Sequence, residues 1–187
     1  MDDNRRKRRR RRRIIASAIF LTLALSLAWV FESQSTTTVV FVRYAEILDQ
    51  GENPGLNPAG QQRARELARV VGTIDIVGGV DAVFATQYRS TQETAEPLAE
   101  IMQIPVQVVD SNNVRGLAQM ILKEYKGKIV LVITDEEALP RLIRKFHGSK
   151  RLAPITAYEH DNLYLVSIPW YGKVKTLQLK YGVPYGQ

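Results

Sequence analysis

Apolar positions along the chain follow two regimes. From Ile14 to Phe31, "IIASAIFLTLALSLAWVF", no charge, proline or glycine interrupts them. From Thr38 onward they come in short β-branched runs that alternate with stretches of helical spacing. The first regime has 18 residues. As a helix it rises about 27 Å, close to the roughly 30 Å hydrocarbon core of a bilayer. A polar face, normal for a soluble core helix, is missing.

The second regime predicts strands and helices in alternation. "TVVFVR" (Thr38–Arg43), "DAVFAT" (Asp81–Thr86), "PVQVV" (Pro105–Val109) and "KIVLVIT" (Lys128–Thr134) read as buried strands. "NPAGQQRARELARVVG" is a marked helix: Asn57 caps it, Pro58 takes the first helical position and Gly72 ends it. "STQETAEPLAEIM" (Ser90–Met102) is helical, with Pro97 predicting a kink or a start near it. "VRGLAQMILKEY" (Val114–Tyr125) is helical, and so is "EEALPRLIRKFHG" (Glu136–Gly148), interrupted by Pro140. "NLYLVSI" (Asn162–Ile168) and "KVKTLQLKYG" (Lys173–Gly182) close the pattern as strands, the lysines of the second marking an edge. The prediction is α/β: a three-layer sandwich with a mainly parallel central sheet flanked by helices, preceded by an N-terminal transmembrane helix. Ligands of such folds bind at the carboxyl ends of the strands.

Charge divides the chain at the same place. The net charge is +7, and residues 1–13 hold nine basic and two acidic side chains, so the rest is formally neutral. The basic run Arg5–Arg13 abuts the apolar segment. Arginine resists crossing a bilayer, so the expected topology is single-pass in the cell membrane, with the N-terminus cytoplasmic and the C-terminal domain exported, periplasmic if bacterial. Segment 1–13 is then a cytoplasmic arm meeting anionic lipid headgroups, 14–31 a signal-anchor, 32–37 a linker and 38–187 the domain. Trp29 suits the far interfacial belt. "SLA" (Ser26, Leu27, Ala28) also fits a signal-peptide cleavage site, the alternative to an anchor. A tail next to a membrane span weighs against nucleic acid as its partner. Cysteine is absent, which excludes disulfides and thiolate chemistry.

Four segments in order, "VVFVRYAE", "GLNPAGQQRARELA", "VFATQYRSTQETAEPLA" and "KIVLVITDEEALP", carry a likeness. Together they resemble the histidine phosphatase superfamily, the phosphoglycerate-mutase-like fold, over roughly residues 37–182. In that family the first strand ends in Arg-His-Gly. The histidine is transiently phosphorylated, arginines grip the phosphate, and a second histidine follows the fourth strand. The resemblance implies that Arg43 and Arg89 are the phosphate-gripping arginines and Glu46 an acidic position just beyond the motif. It sets Tyr44 at the nucleophile, Ala45 at the glycine, Thr134 at a second glycine and Asp135 at the second histidine.

Neither catalytic histidine has a counterpart, so no catalytic residue is expected by the family mechanism. A phenol has a pKa of about 10 against about 6.5 for imidazole, which disfavours Tyr44 as a replacement nucleophile. Asp135 is expected to pair with Arg43 or Arg89 and close the site. The implied function is a binding or scaffolding pseudoenzyme with a protein partner or a phosphorylated ligand; the alternative is a phosphohydrolase with a non-histidine mechanism. No cofactor and no metal is expected, since the histidines lack ligand spacing. His147 reads as a helix-end cation or surface group and His160 as a residue of the polar turn "YEHDN". Asp135, Glu136 and Glu137 read as partners of a helix dipole, and Tyr171, Tyr181 and Tyr185 as packing residues.

Overall fold

The computed structural model describes residues 3–32, 36–74, 79–150, 152, 155–156 and 158–183, with side chains of 3–7 and 30–32 excepted. Linker residues 33–35, the first two residues of the basic arm and Tyr185 lie outside the described residues. The chain divides into two compact units, 1–35 and 36–187. The first is one helix, α1 (Asp3–Glu32), which begins inside the basic arm. Its stretch Arg8–Trp29 is 22 residues with mean hydropathy 1.5, long and apolar enough to cross a membrane.

The second unit is a six-stranded sheet with helices on both faces. Its elements are β1 (Thr37–Arg43), α2 (Pro58–Val71), β2 (Ala82–Thr86), α3 (Arg89–Met102), β3 (Val106–Val109), α4 (Val114–Glu124), β4 (Ile129–Thr134), α5 (Ala138–Lys145), β5 (Asn162–Ile168) and β6 (Lys175–Lys180). The spatial order is β3-β2-β4-β1-β5-β6. β1 pairs in parallel with β4, and β2 with β4 and β3. β5 runs antiparallel to β1, and β6 antiparallel to β5. The sheet is therefore mixed, parallel on one side of β1 and antiparallel on the other.

The period-two alternation of β1 splits the core. Val39 and Phe41 join the cluster that packs against α4 and α5. Val40 and Val42 join the one that packs against α2 and α3. This split also locates the site. The connection after β1 leads to α2 on one face, while the connection after its neighbour β4 leads to α5 on the other. Such a divergence between adjacent parallel strands opens a crevice at their carboxyl ends.

The predicted helix punctuation is present in α2: the Asn57 side chain accepts from Gly60 N–H at 2.9 Å, with Pro58 at the first position. A helix start near Pro97 and an interruption at Pro140 need correction. α3 runs continuously from Arg89 through Pro97, because the fully buried faces of Thr94, Ala95 and Leu98 hold it in place despite one missing backbone bond. Pro140 lies in the first turn of α5, where a missing N–H is harmless, so it does not interrupt the helix. α5 instead starts later than predicted, at Ala138.

Gly60 shows why "LNPAG" needs its glycine. A Cβ there would overlap the backbone carbonyl of Glu46, so α2 reaches the loop after β1 only without a side chain. Gly60→Ala should destabilise the fold by about 1–3 kcal/mol, the cost of overpacking, even though alanine gains about 1 kcal/mol in helix propensity. Urea unfolding of both proteins measures this. An alanine variant as stable as the parent would show that the close approach is not needed.

Candidate functional site

The crevice is built from the carboxyl end of β1. Arg43, its last residue, is 5% exposed and stands beside Thr134 of β4. A buried guanidinium requires acceptors and an anion. Its Nη1 donates to the Thr156 carbonyl at 3.2 Å, and Nη2 donates to the Tyr44 hydroxyl at 3.1 Å. Nε lies 3.2 Å from Glu136 Oε2, a charge contact without hydrogen-bond alignment. The Tyr44 hydroxyl donates onward to the same Glu136 oxygen at 3.2 Å. Arginine, phenol and carboxylate thus form one closed triangle. Burial pushes the Tyr44 pKa up, Arg43 pulls it down and Glu136 pushes it up again, with a net rise. The phenol is neutral at neutral pH and already donates its proton to a carboxylate.

His160 completes the back of this cluster. It is 7% exposed, and its Nδ1 lies 2.8 Å from the Tyr44 carbonyl. A carbonyl only accepts, so Nδ1 carries the proton and the ring is held as one neutral tautomer. The Tyr44 and His160 ring centroids are 5.9 Å apart. Burial lowers the His160 pKa; the Tyr44 carbonyl raises it, and the charge of Arg43 lowers it further, leaving it below the ordinary value. Sequence reasoning placed His160 in a loop, which is correct, but missed its burial. Its burial follows from the strand direction: an antiparallel β5 brings the residues just before it alongside those just after β1.

Each of the other predicted positions is engaged elsewhere. Asp135 does not pair with either arginine. Its Oδ1 accepts from the N–H groups of Glu137 and Ala138 at 3.0 and 2.7 Å, capping the turn into α5. The anion beside Arg43 is Glu136, the next residue along. Arg89 has a different anion from Arg43. It is 63% exposed and pairs with Glu93 one turn along its own helix, Nε to Oε1 at 2.6 Å. Glu93 also accepts from Leu56 N–H, tying the loop after β1 to α3. Glu46 forms an enclosed pair with Arg63, Nη2 to Oε1 at 2.7 Å, with exposures of 12% and 8%. Burial opposes ionisation of Glu46, but hydrogen bonds from Arg63 and the backbone outweigh it and lower the pKa. Arg63 also donates to the carbonyls of Tyr181 and Val183. His147 is exposed just past α5, with φ of 57°.

In front of the triangle is a cleft of about 340 Å³, walled by Tyr44 and Tyr88. Its ionisable lining is Glu52, Asp135, Glu136 and Glu137 against Arg141. The cleft is therefore acidic. Among the described residues, no cluster of histidine and carboxylate has the makings of a metal site.

The backbone frame around this site is the phosphoglycerate-mutase-like fold, as the solved structures it resembles show. One is the protein histidine phosphatase SixA complexed with tungstate: TM-score 0.61, 14% identity, covering 76% of this chain and 96% of that one. Another is the phosphohistidine phosphatase SixA assignment from Agrobacterium tumefaciens, at 0.59 and 13%, covering 79% and 98%. A third is mycobacterial glucosyl-3-phosphoglycerate phosphatase, at 0.58 and 10%, covering 80% and 100%; it has also been solved with inorganic phosphate. No family model and no curated protein matches the chain.

The buried histidine gives a pH signature. A folded-state pKa below the ordinary 6.5 means that the unfolded chain binds the extra proton first. The stabilisation is fully present above that ordinary value and is lost as pH falls through the folded pKa. His160→Asn should flatten the fall in melting temperature between about pH 7 and pH 5, the range in which histidine titrates. Parallel melting curves for parent and variant across that range would show that His160 does not titrate with unfolding.

Proposed function

We propose that the chain is a membrane-anchored, exported domain of histidine-phosphatase fold that does not turn over phosphomonoesters and acts as a binding or scaffolding pseudoenzyme. The observation that carries this reading is the Glu136 carboxylate, which lies against Arg43 and Tyr44 where the resemblance would put a phosphate. Two unit charges 4 Å apart repel by about 4 kcal/mol at an effective dielectric of 20, so a phosphate beside Glu136 starts at a disadvantage. The acidic lining adds to it, and Arg89 is engaged with Glu93. Tyr44 stands in for the nucleophile with its pKa raised, away from the direction that catalysis would need.

The anchor reading is supported by the uncharged run after Arg13 and by the exposure of the α1 side chains from Arg8 to Trp29. Positive charge on the N-terminal side favours a cytoplasmic arm against anionic headgroups and an exported domain. The partner of the domain is then a protein or a ligand suited to an acidic cleft with aromatic walls.

Full-length protein in detergent should give no measurable hydrolysis of p-nitrophenyl phosphate, since losing a nucleophile costs about 10⁶ in rate. Turnover abolished by Tyr44→Phe would replace this reading with a tyrosine mechanism. Added phosphate should leave the melting temperature of the parent unchanged. Glu136→Gln should lower that temperature, and phosphate should partly restore it by binding the freed guanidinium. Asp135→Asn should show no such rescue. Equal phosphate stabilisation of parent and Glu136→Gln would mean that an anion pocket survives beside Glu136.

A further inference from the structure

The carboxyl edge of the sheet carries the cleft, and the amino edge carries a different surface. Where β1 begins, β5 ends and β6 starts: Thr37 pairs with Ile168, and Ser167 with Lys175. The β5–β6 turn therefore projects beside the first residue of β1. It presents Trp170 at 58% exposure and Tyr171 at 87%, followed by exposed Lys173 and Lys175. On the other side of β1, the loop before β4 presents exposed Lys126 and Lys128. That loop is fastened to β1, with Gly127 N–H donating to Thr37 Oγ1 and Thr38 N–H to the Lys128 carbonyl. Among the described acids, Glu124 closes α4 just before this loop, and the Asp81 carboxylate accepts from Ile129 N–H at 2.8 Å.

Four lysines and two exposed aromatics thus flank the point where the chain enters the sheet. Tryptophan and tyrosine favour the headgroup layer, and lysine favours anionic phosphate. The tether is short. α1 ends at Glu32 and β1 begins at Thr37, five residue steps that span at most about 18 Å. If α1 spans the membrane, Thr37 cannot stand farther than that from the end of the span.

We propose that the β5–β6 turn and the loop before β4 form a docking surface for anionic phospholipid headgroups, on the same bilayer that holds α1. This rests on the anchor reading above. The acidic cleft lies at the opposite edge of the sheet. β1 separates the two edges by its seven residues, about 20 Å.

The chain's two tryptophans, Trp29 and Trp170, are separate reporters. Full-length Trp29→Phe and Trp170→Phe would each be reconstituted in phosphatidylcholine vesicles with and without phosphatidylglycerol. The vesicles would carry lipids with a quencher at headgroup depth or in the acyl chain. Trp170 should be quenched by the headgroup probe about twofold more strongly in anionic than in neutral vesicles. Changing Lys126, Lys128, Lys173 and Lys175 to Gln should abolish that difference while Trp29 quenching persists. Trp29 quenched with Trp170 indifferent to lipid charge would overturn the docking surface and leave the anchor standing. Quenching of neither residue would overturn both.

Discussion

A guanidinium buried at the end of a central strand cannot stand without an anion, and the rest of the site follows from how that need is met. Arg43 ends the one strand that pairs with both the parallel and the antiparallel part of the sheet. Its charge cannot move without breaking that register. Glu136 answers it from the loop after β4. Tyr44 then has one direction in which to donate, and its backbone carbonyl fixes the tautomer of His160. Charge pairing at one strand end thus orders three neighbouring side chains.

The same logic separates a fold from an activity. The neighbours include proteins solved with tungstate and with inorganic phosphate, and the backbone frame is shared with them. The strand ends of this chain carry their own set of charges. Here the cleft is bordered by four carboxylates and one arginine, an electrostatic character that favours cations over oxyanions. Aromatic walls at Tyr44 and Tyr88 are compatible with the same preference, since ring faces attract cations.

Much of the fold was legible because its signals are local. Asn57, Pro58 and Gly72 mark α2 chemically, and the β-branched runs of β1, β2 and β4 have no competing helical period. The antiparallel half was harder to read, because strand direction is set by which connection fits across the sheet rather than by the strand itself. That gap accounts for His160, whose burial follows only once β5 is antiparallel to β1. The site was legible to within one residue: Arg43 needed an anion after β4, but the choice between Asp135 and Glu136 depended on how the turn into α5 is capped. A short aspartate satisfies the N–H groups of that turn, and the longer glutamate is left to reach the guanidinium. Arg89 and Glu46 are engaged for another reason. Each has an oppositely charged residue nearby, Glu93 one turn away and Arg63 on the facing helix.

The enclosed Glu46–Arg63 pair has a consequence for descent. Arg63 fastens the segment after β6, at Tyr181 and Val183, to the same helix whose Gly60 leaves room for the Glu46 backbone. A mutation at either charge strands the other in a poorly hydrated place. Lineages should therefore exchange the two together or keep both, leaving a trace of paired substitution between a loop residue and a helix residue seventeen positions apart. The segment after β6 and the loop after β1 are in that sense one heritable unit.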